Sequence, residues 1–145
     1  MDKPLKSKEK KVILAIETSC DETALCVLEA SGMAEKPKFK ILANEIASQI
    51  EMHREYGGVF PAIAKREHQI ALPELLEKIL KKLKVKNNKP NFDLIAVTVG
   101  PGLEPALWVG ITFAKALAEV WNLPLIPVNH MEGHLVSSIL RKDNK

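Results

Sequence analysis

The chain has 145 residues, of which 46% are hydrophobic and 27% charged, and its formal net charge at pH 7 is +3. This length suits one domain with a core of its own, and so mild a charge neither requires nor excludes contact with RNA. No apolar run approaches the roughly 20 residues that span a bilayer. Two cysteines, Cys20 and Cys26, form neither a disulfide framework nor a metal-pair spacing. These features predict a cytoplasmic α/β protein without a membrane segment.

The first half of the chain predicts a group of strands followed by a helix. Residues 1–10 are basic and polar and predict a flexible tail. Apolar runs and alternating patterns predict strands over 11–16, 24–29 and 39–50, and leucines at helical spacing predict a helix over 61–83. Ser31-Gly32 predicts a turn that precedes the third strand. Pro73 predicts a kink or break near Leu72, because proline cannot donate to the preceding turn.

Strands and helices alternate in the second half. Residues 92–99 and 125–128 predict strands, and 104–121 predicts a helix with Pro105 in its first turn. Asn129 is suited to capping a final helix. The resulting order, β-β-β-α-β-α-β-α, predicts an α/β fold in which helices cover the faces of a mixed five-stranded sheet. This is the pattern of an RNase H-like fold.

His130 and His134 lie in the sequence Asn129-His130-Met131-Glu132-Gly133-His134. Residues four apart share one helix face, so the two imidazoles are suited to bind one metal ion, although surface histidine pairs without a metal also occur. Asp143 is the only ready oxygen donor in the tail; otherwise a third ligand must come from an earlier segment or another polypeptide. Zinc peptidases place glutamate directly after the first histidine. The position of Glu132 therefore counts against a peptidase.

A polar loop, residues 17–23, follows the first strand. Its amides and hydroxyls are suited to hold phosphate oxygens at a tight bend, although an ordinary polar hairpin is the alternative. Asp21 and Glu22 would be repelled by phosphate and would act through a metal ion, water or base chemistry. Gly100-Pro101-Gly102 favours a tight strand–helix turn over a ligand cradle. His68 is predicted on a charged helix face, and His53 in the loop 52–58.

Four segments in this order resemble the transferases that make threonylcarbamoyladenosine in tRNA, the TsaD family, formerly labelled glycoproteases. The matching segments are residues 15–23, 57–61 with 66–68, 100–103 with 109–110, and 129–135. Members of this family belong to the actin-like and Hsp70-like ATPase superfamily. Their active site lies between two RNase H-like lobes, where a threonylcarbamoyl group passes from an AMP-linked carrier to the exocyclic amine of the adenosine beside the anticodon.

The resemblance implies a role for six residues. His130 and His134 would be ligands of one divalent metal ion, iron or zinc. Asp21 and Glu22 would lie in the catalytic loop of the first lobe. Ser19 and Cys20 would shape the phosphate side of the cleft and so help to bind the carrier.

By this resemblance, residues 11–145 would correspond to the first lobe of the family, and we expect the second lobe to be missing from this chain, together with a glycine-rich loop, the adenylate pocket and an aspartate that completes the metal shell. We therefore expect an incompletely liganded metal and little transferase activity from this chain alone. Its expected partners are a second-lobe protein or a TsaB-like protein, with tRNA in the full complex. The alternative is a non-catalytic TsaB-like scaffold that pairs with the transferase, or with itself, through this lobe.

Overall fold

Five strands form one mixed sheet in this computed structural model, which describes residues 9–33, 35–86 and 90–140. The strands are β1 (Lys11–Glu17), β2 (Glu22–Met33), β3 (Lys36–Ser48), β4 (Leu94–Gly100) and β5 (Leu125–Asn129). Their order across the sheet is β3-β2-β1-β4-β5. β1, β2 and β3 pair antiparallel, whereas β4 runs parallel to β1 and β5 parallel to β4. This confirms the predicted sheet; most of the predicted flexible tail, and Asp143, lie outside the described residues.

Four helices accompany the sheet: α1 (Ile50–Arg54), α2 (Pro61–Lys82), α3 (Glu104–Trp121) and α4 (His130–Leu140). Among the described residues, no helix combines the length and the apolar character needed to span a membrane. Asn129 Oδ1 accepts hydrogen bonds from the amides of Met131 and Glu132, at 2.9 and 3.2 Å. The predicted N-cap of the last helix is therefore confirmed, and it places α4 directly after β5.

The hydrophobic core lies between one face of the sheet and the helices α2 and α3. Side chains alternate across a strand, so Leu14 and Ile16 of β1 point to this face together with Leu25 and Val27 of β2. Each such buried side chain stabilises the fold by about 1.5–3 kcal/mol. Glu17 has the opposite orientation, which places its carboxylate on the other face, near the start of α4.

The predicted turn at Ser31-Gly32 is wrong, and of the kink or break predicted at Pro73 the break does not occur. The chain does not turn at Ser31-Gly32, because β2 continues to Met33 and Ser31 pairs with Lys38 of β3. Nor does the chain break before Pro73, since α2 continues through it without interruption. Pro73 lies on the exposed side of α2, where water can hydrate the carbonyl that loses its partner.

Both internal histidines are buried, which corrects two further predictions. His68 does not lie on a charged surface but is 0% exposed, and His53 belongs to the short helix α1 rather than to a loop and is 4% exposed. Burial lowers the pKa of His68 below its ordinary value. A hydrogen bond to the Cys20 carbonyl and the charges of Glu17 and Asp21 act in the opposite direction but do not outweigh burial.

α3 approaches the loop after β1 very closely at Gly110. Thr18 Oγ1 donates a hydrogen bond of 2.9 Å to the Ala106 carbonyl, and a methyl group at Gly110 would collide with the Thr18 side chain. We therefore expect Gly110→Ala to lower the free energy of unfolding by about 1–3 kcal/mol, as overpacking does. Urea unfolding measures this. The control is Gly133→Ala in α4, where a methyl group would meet open space. This substitution should raise the free energy of unfolding by about 0.5–1 kcal/mol. Equal effects of the two substitutions would contradict the packing argument.

The buried His68 also predicts sensitivity to mild acid. Because its folded-state pKa is lowered, the unfolded chain binds a proton first as the pH falls below about 6.5. The free energy of unfolding should then decrease with falling pH, at most by about 1.4 kcal/mol per pH unit. Urea unfolding at pH 7.5 and 5.5 should show a smaller loss for His68→Gln than for the wild-type chain. An equal loss in both would show that His68 does not cause it.

Candidate active site

The two predicted metal-ligand histidines line an open pocket of about 250 Å³ at the carboxyl ends of β1, β4 and β5. The Nε2 atoms of His130 and His134 are 2.9 Å apart, and their ring centroids are separated by 4.4 Å. His134 is exposed, and the side chain of His130 retains 26% of its accessible surface. The pair therefore points into a groove that solvent and a ligand can reach.

The spacing of these nitrogen atoms fits a shared metal ion. Metal–imidazole bonds of about 2.0–2.1 Å place two ligand nitrogens about 3 Å apart at a right angle and about 3.4 Å apart at a tetrahedral angle. The observed 2.9 Å between the Nε2 atoms is closest to two adjacent positions of an octahedron. The 2.9 Å distance is compatible with one shared ion, and without an ion it is that of a hydrogen bond between the two rings.

Glu17 orients the first of the two imidazoles. Its Oε2 lies 3.3 Å from His130 Nδ1 and also accepts a hydrogen bond of 2.5 Å from Thr98 Oγ1. Since a carboxylate only accepts, the proton of a neutral His130 belongs on Nδ1, which leaves the Nε2 lone pair for a metal. Carboxylate–histidine pairs of this kind are usual behind metal ligands.

The charge of Glu17 is maintained by its hydrogen-bond donors. Burial opposes ionisation, but hydrogen bonds from Ser19, Thr98 and His130 outweigh it and lower the pKa of the Glu17 carboxyl below its ordinary value. The Ser19 amide donates to Glu17 Oε1 at 2.5 Å. The Glu17 carboxylate is therefore favoured in its ionised form beside His130.

The described residues contain no complete metal site. Over 9–33, 35–86 and 90–140, no three histidine, cysteine or carboxylate side chains come together as a metal-binding group. What these segments provide is a pair of imidazoles and the carboxylate of Glu17 behind His130.

The predicted catalytic and carrier-binding residues follow Glu17 in one continuous segment, with Ser19, Cys20 and Asp21 in the loop and Glu22 at the first position of β2 rather than in the predicted loop. Ser19 is buried, Asp21 is half-buried, and Cys20 and Glu22 are exposed. The pKa of the Cys20 thiol is raised by its partial desolvation and by the neighbouring charge of Asp21. Within the described part of the chain, no hydrogen bond or ion pair joins Asp21 or Glu22 to the histidine pair.

The turn between β4 and α3 packs against this loop. The Leu103 amide donates a hydrogen bond of 2.7 Å to the Ser19 carbonyl, and a methyl group at Gly102 would lie 2.7 Å from the same oxygen. Glycine is needed here because another part of the chain comes so close. The favoured interpretation of Gly100-Pro101-Gly102 as a tight strand–helix turn is consistent with this packing.

Glu17 and Thr98 are the site residues that the sequence did not single out. Glu17 connects the two predicted parts of the site, since it accepts from the Ser19 amide and faces His130. Two signals were available in the sequence: the carboxylate at the last position of an apolar strand, and the threonine within the apolar run of β4. Both residues lie in strands, where a single polar side chain is not distinguished by the apolar pattern from an ordinary strand-end residue.

The comparisons with solved structures concern the fold. A Pseudomonas aeruginosa protein described as similar to the peptidase YeaZ superposes with a TM-score of 0.57 and 18% identity, covering 82% of this chain and 43% of that one. YeaZ from Pseudomonas aeruginosa gives 0.54 and 16%, over 81% and 44%. The chain thus shares the mixed α/β fold of these YeaZ-type structures.

The comparisons with sequences concern the family. The profile of the TsaD family, the tRNA N6-adenosine threonylcarbamoyltransferases, matches residues 40–145. The transferases of Dictyoglomus turgidum and Fusobacterium nucleatum are each 46% identical over 132 residues, or 91% of this chain. The chain spans 37% and 36% of the length of these relatives. By this sequence match, and by the histidine pair at the mouth of its groove, the chain belongs to the TsaD family of tRNA N6-adenosine threonylcarbamoyltransferases.

Proposed function

We propose that this chain forms one wall of the active site of a tRNA threonylcarbamoyltransferase and acts together with a second-lobe protein. The observation that carries the proposal is the Glu17–His130–His134 arrangement, in which a charged carboxylate orients one of two paired imidazoles at an open groove. A surface histidine pair without a ligand would have no use for such an orienting group. The loop with Asp21 follows Glu17 directly, at the same carboxyl end of β1.

His130 and His134 would hold one divalent metal ion, iron or zinc, in this proposal. When bound, such an ion supplies a positive charge that orients and polarises oxygen atoms of the substrate. Glu17 keeps the proton of His130 on Nδ1 and so keeps its Nε2 available. The site is incomplete within the described residues, so we expect weak binding by this chain alone.

The loop residues would accept the proton of the reaction and bind the carrier. When the exocyclic amine of adenosine attacks the carbamoyl carbon, the new carbon–nitrogen bond forms, the bond to AMP breaks, and the amine loses a proton. Asp21 or Glu22 would accept that proton, as carboxylates do in general base catalysis. Ser19 and Cys20 would lie beside the phosphate of the leaving AMP, and tRNA would approach over the open side of the groove.

A second surface supports the proposed protein partner. α2 and α3 border a groove of about 750 Å³ in which Trp108 remains 53% exposed. A large aromatic side chain at the rim of an apolar groove is typical of an interface. A TsaB-like protein or a second copy of this chain would bind there, and this surface is what favours the alternative function, a non-catalytic scaffold.

Reconstitution tests the enzymatic proposal. The chain is mixed with a separately expressed second lobe of a TsaD relative, and transfer to unmodified tRNA is measured with the AMP-linked carrier. We expect activity from the mixture and little from either part, because the described residues line the groove from one side only. His130→Ala should lower the rate of the mixture by at least about 100-fold, since it removes a metal ligand. Stimulation of a full-length transferase, without any reconstituted activity, would instead support the scaffold.

Metal binding has its own test. Equilibrium dialysis against Zn²⁺ or Fe²⁺ should show weak binding to the chain that is lost in His130→Ala and in His134→Ala. Glu17→Gln should weaken binding by about 10–100-fold, the usual effect of removing an orienting group. Glu132→Gln is the matched control, because Glu132 is exposed between the two histidines and should have no effect. Binding that survives both histidine substitutions would place the metal elsewhere.

A further inference from the structure

A buried chain of hydrogen bonds leads from α1 and α2 to the candidate catalytic loop. Its side chains are Thr23 at 0% exposure, Gln49 at 3%, His53 at 4% and His68 at 0%. They belong to β2, to the residue before α1, to α1 and to α2. None of these four side chains takes part in the metal site or in the proposed proton transfer, so their burial needs a separate explanation.

The direction of this chain can be assigned at His53. The Phe60 amide donates to His53 Nδ1 at 3.1 Å, so this nitrogen is an acceptor. The proton of a neutral His53 is therefore on Nε2, which donates to Gln49 Oε1 at 2.9 Å. Because His53 Nε2 donates, the Gln49 atom that it contacts is the amide oxygen, and the other terminal atom of this amide is the nitrogen.

The same logic determines the state of His68. Gln49 Nε2 donates to the Ala64 carbonyl at 3.4 Å and to His68 Nδ1 at 3.3 Å. Thr23 Oγ1 also donates to His68 Nδ1, at 2.7 Å. With Nδ1 as acceptor, the proton of a neutral His68 is on Nε2, which donates to the Cys20 carbonyl at 2.9 Å. Each donor in the chain thus faces an acceptor.

The chain ends at two consecutive carbonyl groups of the loop. His68 Nε2 binds the Cys20 carbonyl, and the Gln49 backbone amide binds the Asp21 carbonyl at 2.9 Å. The other end of the loop is held by Glu17 and Leu103, which bind the amide and the carbonyl of Ser19. Because the carbonyls of Cys20 and Asp21 are fixed, the side-chain directions at these two positions are also restricted.

We propose that His68, supported by Gln49 and His53, is a positioning residue that fixes the Cys20–Asp21 backbone in the geometry needed for transfer. The catalytic part of this inference rests on the proposed function, whereas the effect on the loop does not. A neutral imidazole fits this place because it donates on one side and accepts on the other. Leucine would fill the volume but would leave the Cys20 carbonyl and the Thr23 hydroxyl without partners, which is costly in a buried site.

The test on the loop uses the two cysteines of the chain. Cys20 is exposed in the loop, whereas Cys26 is half-buried within β2 and serves as an internal reference. Under native conditions, alkylation of each thiol by iodoacetamide is followed by peptide mass spectrometry. We expect His68→Leu to raise the Cys20-to-Cys26 labelling ratio at least about fivefold, because a loosened loop lets the Cys20 thiol move away from the charge of Asp21, which disfavours its reactive thiolate. His68→Gln should stay within about twofold of the wild type, because its amide can still donate to the Cys20 carbonyl.

Leu72→Ala controls for a general loss of stability. Leu72 lies in α2, one turn after His68, is fully buried and contacts the core rather than the loop. Its replacement should destabilise the protein by about 2–5 kcal/mol and leave the labelling ratio unchanged. If His68→Leu does not fold, two variants of Thr23 test the same hydrogen bond to His68 Nδ1. Thr23→Val removes the donor hydroxyl, and Thr23→Ser retains it. An unchanged ratio in the folded His68 or Thr23 variants, or an equal rise in Leu72→Ala, would overturn the proposal.

The catalytic part is tested in the reconstituted mixture. There, His68→Leu should lower kcat at least about tenfold with little change in KM, since a small misplacement of a reacting group costs rate, and His68→Gln should restore most of it. A rise in KM alone, or no rescue by glutamine, would contradict the positioning role. An inactive wild-type mixture would refute the proposed function, while the labelling result on the loop would stand by itself.

Discussion

The carboxylate of Glu17 is the group on which the candidate site depends. It accepts hydrogen bonds from the Ser19 amide and the Thr98 hydroxyl, and it faces Nδ1 of His130. One ionised side chain therefore joins the loop after β1, the end of β4 and the start of α4. Since charge-assisted hydrogen bonds are stronger and shorter than neutral ones, this group can hold three separate segments in a common geometry at the edge of the sheet.

The loop after β1 is held from two sides by different means. On one side, Gly102 and Leu103 approach the Ser19 carbonyl, and on the other, His68 and Gln49 bind the carbonyls of Cys20 and Asp21. Below the loop, Gly110 allows α3 to contact Thr18. The backbone of the loop is thus defined by contacts within this chain, whereas the metal shell is not complete within its described residues. A fixed loop beside an incomplete set of metal ligands is what we expect of a chain that forms one of the two walls of an active site.

Much of the fold follows from local patterns. The helix over Glu104–Trp121, the strand β4 and the N-cap at Asn129 are predicted from apolar spacing and from capping chemistry, and the structure confirms them. The predicted turn at Ser31-Gly32 does not form, and Pro73 does not break α2. In both places a residue with a strong local preference is overruled, by strand pairing in β2 and by the packing of α2 against the core.

By itself, the sequence determined the order of the strands and the three longer helices, the face shared by His130 and His134, and the family, because each depends on spacing along the chain. Only the tertiary structure decided that Glu17 lies behind His130 and that His68 supports the Cys20 carbonyl. These partners are 113 and 48 positions apart, and no local periodicity can encode such a distance. They meet because the parallel pairing of β1, β4 and β5 and the packing of α2 on the sheet bring distant side chains to one edge.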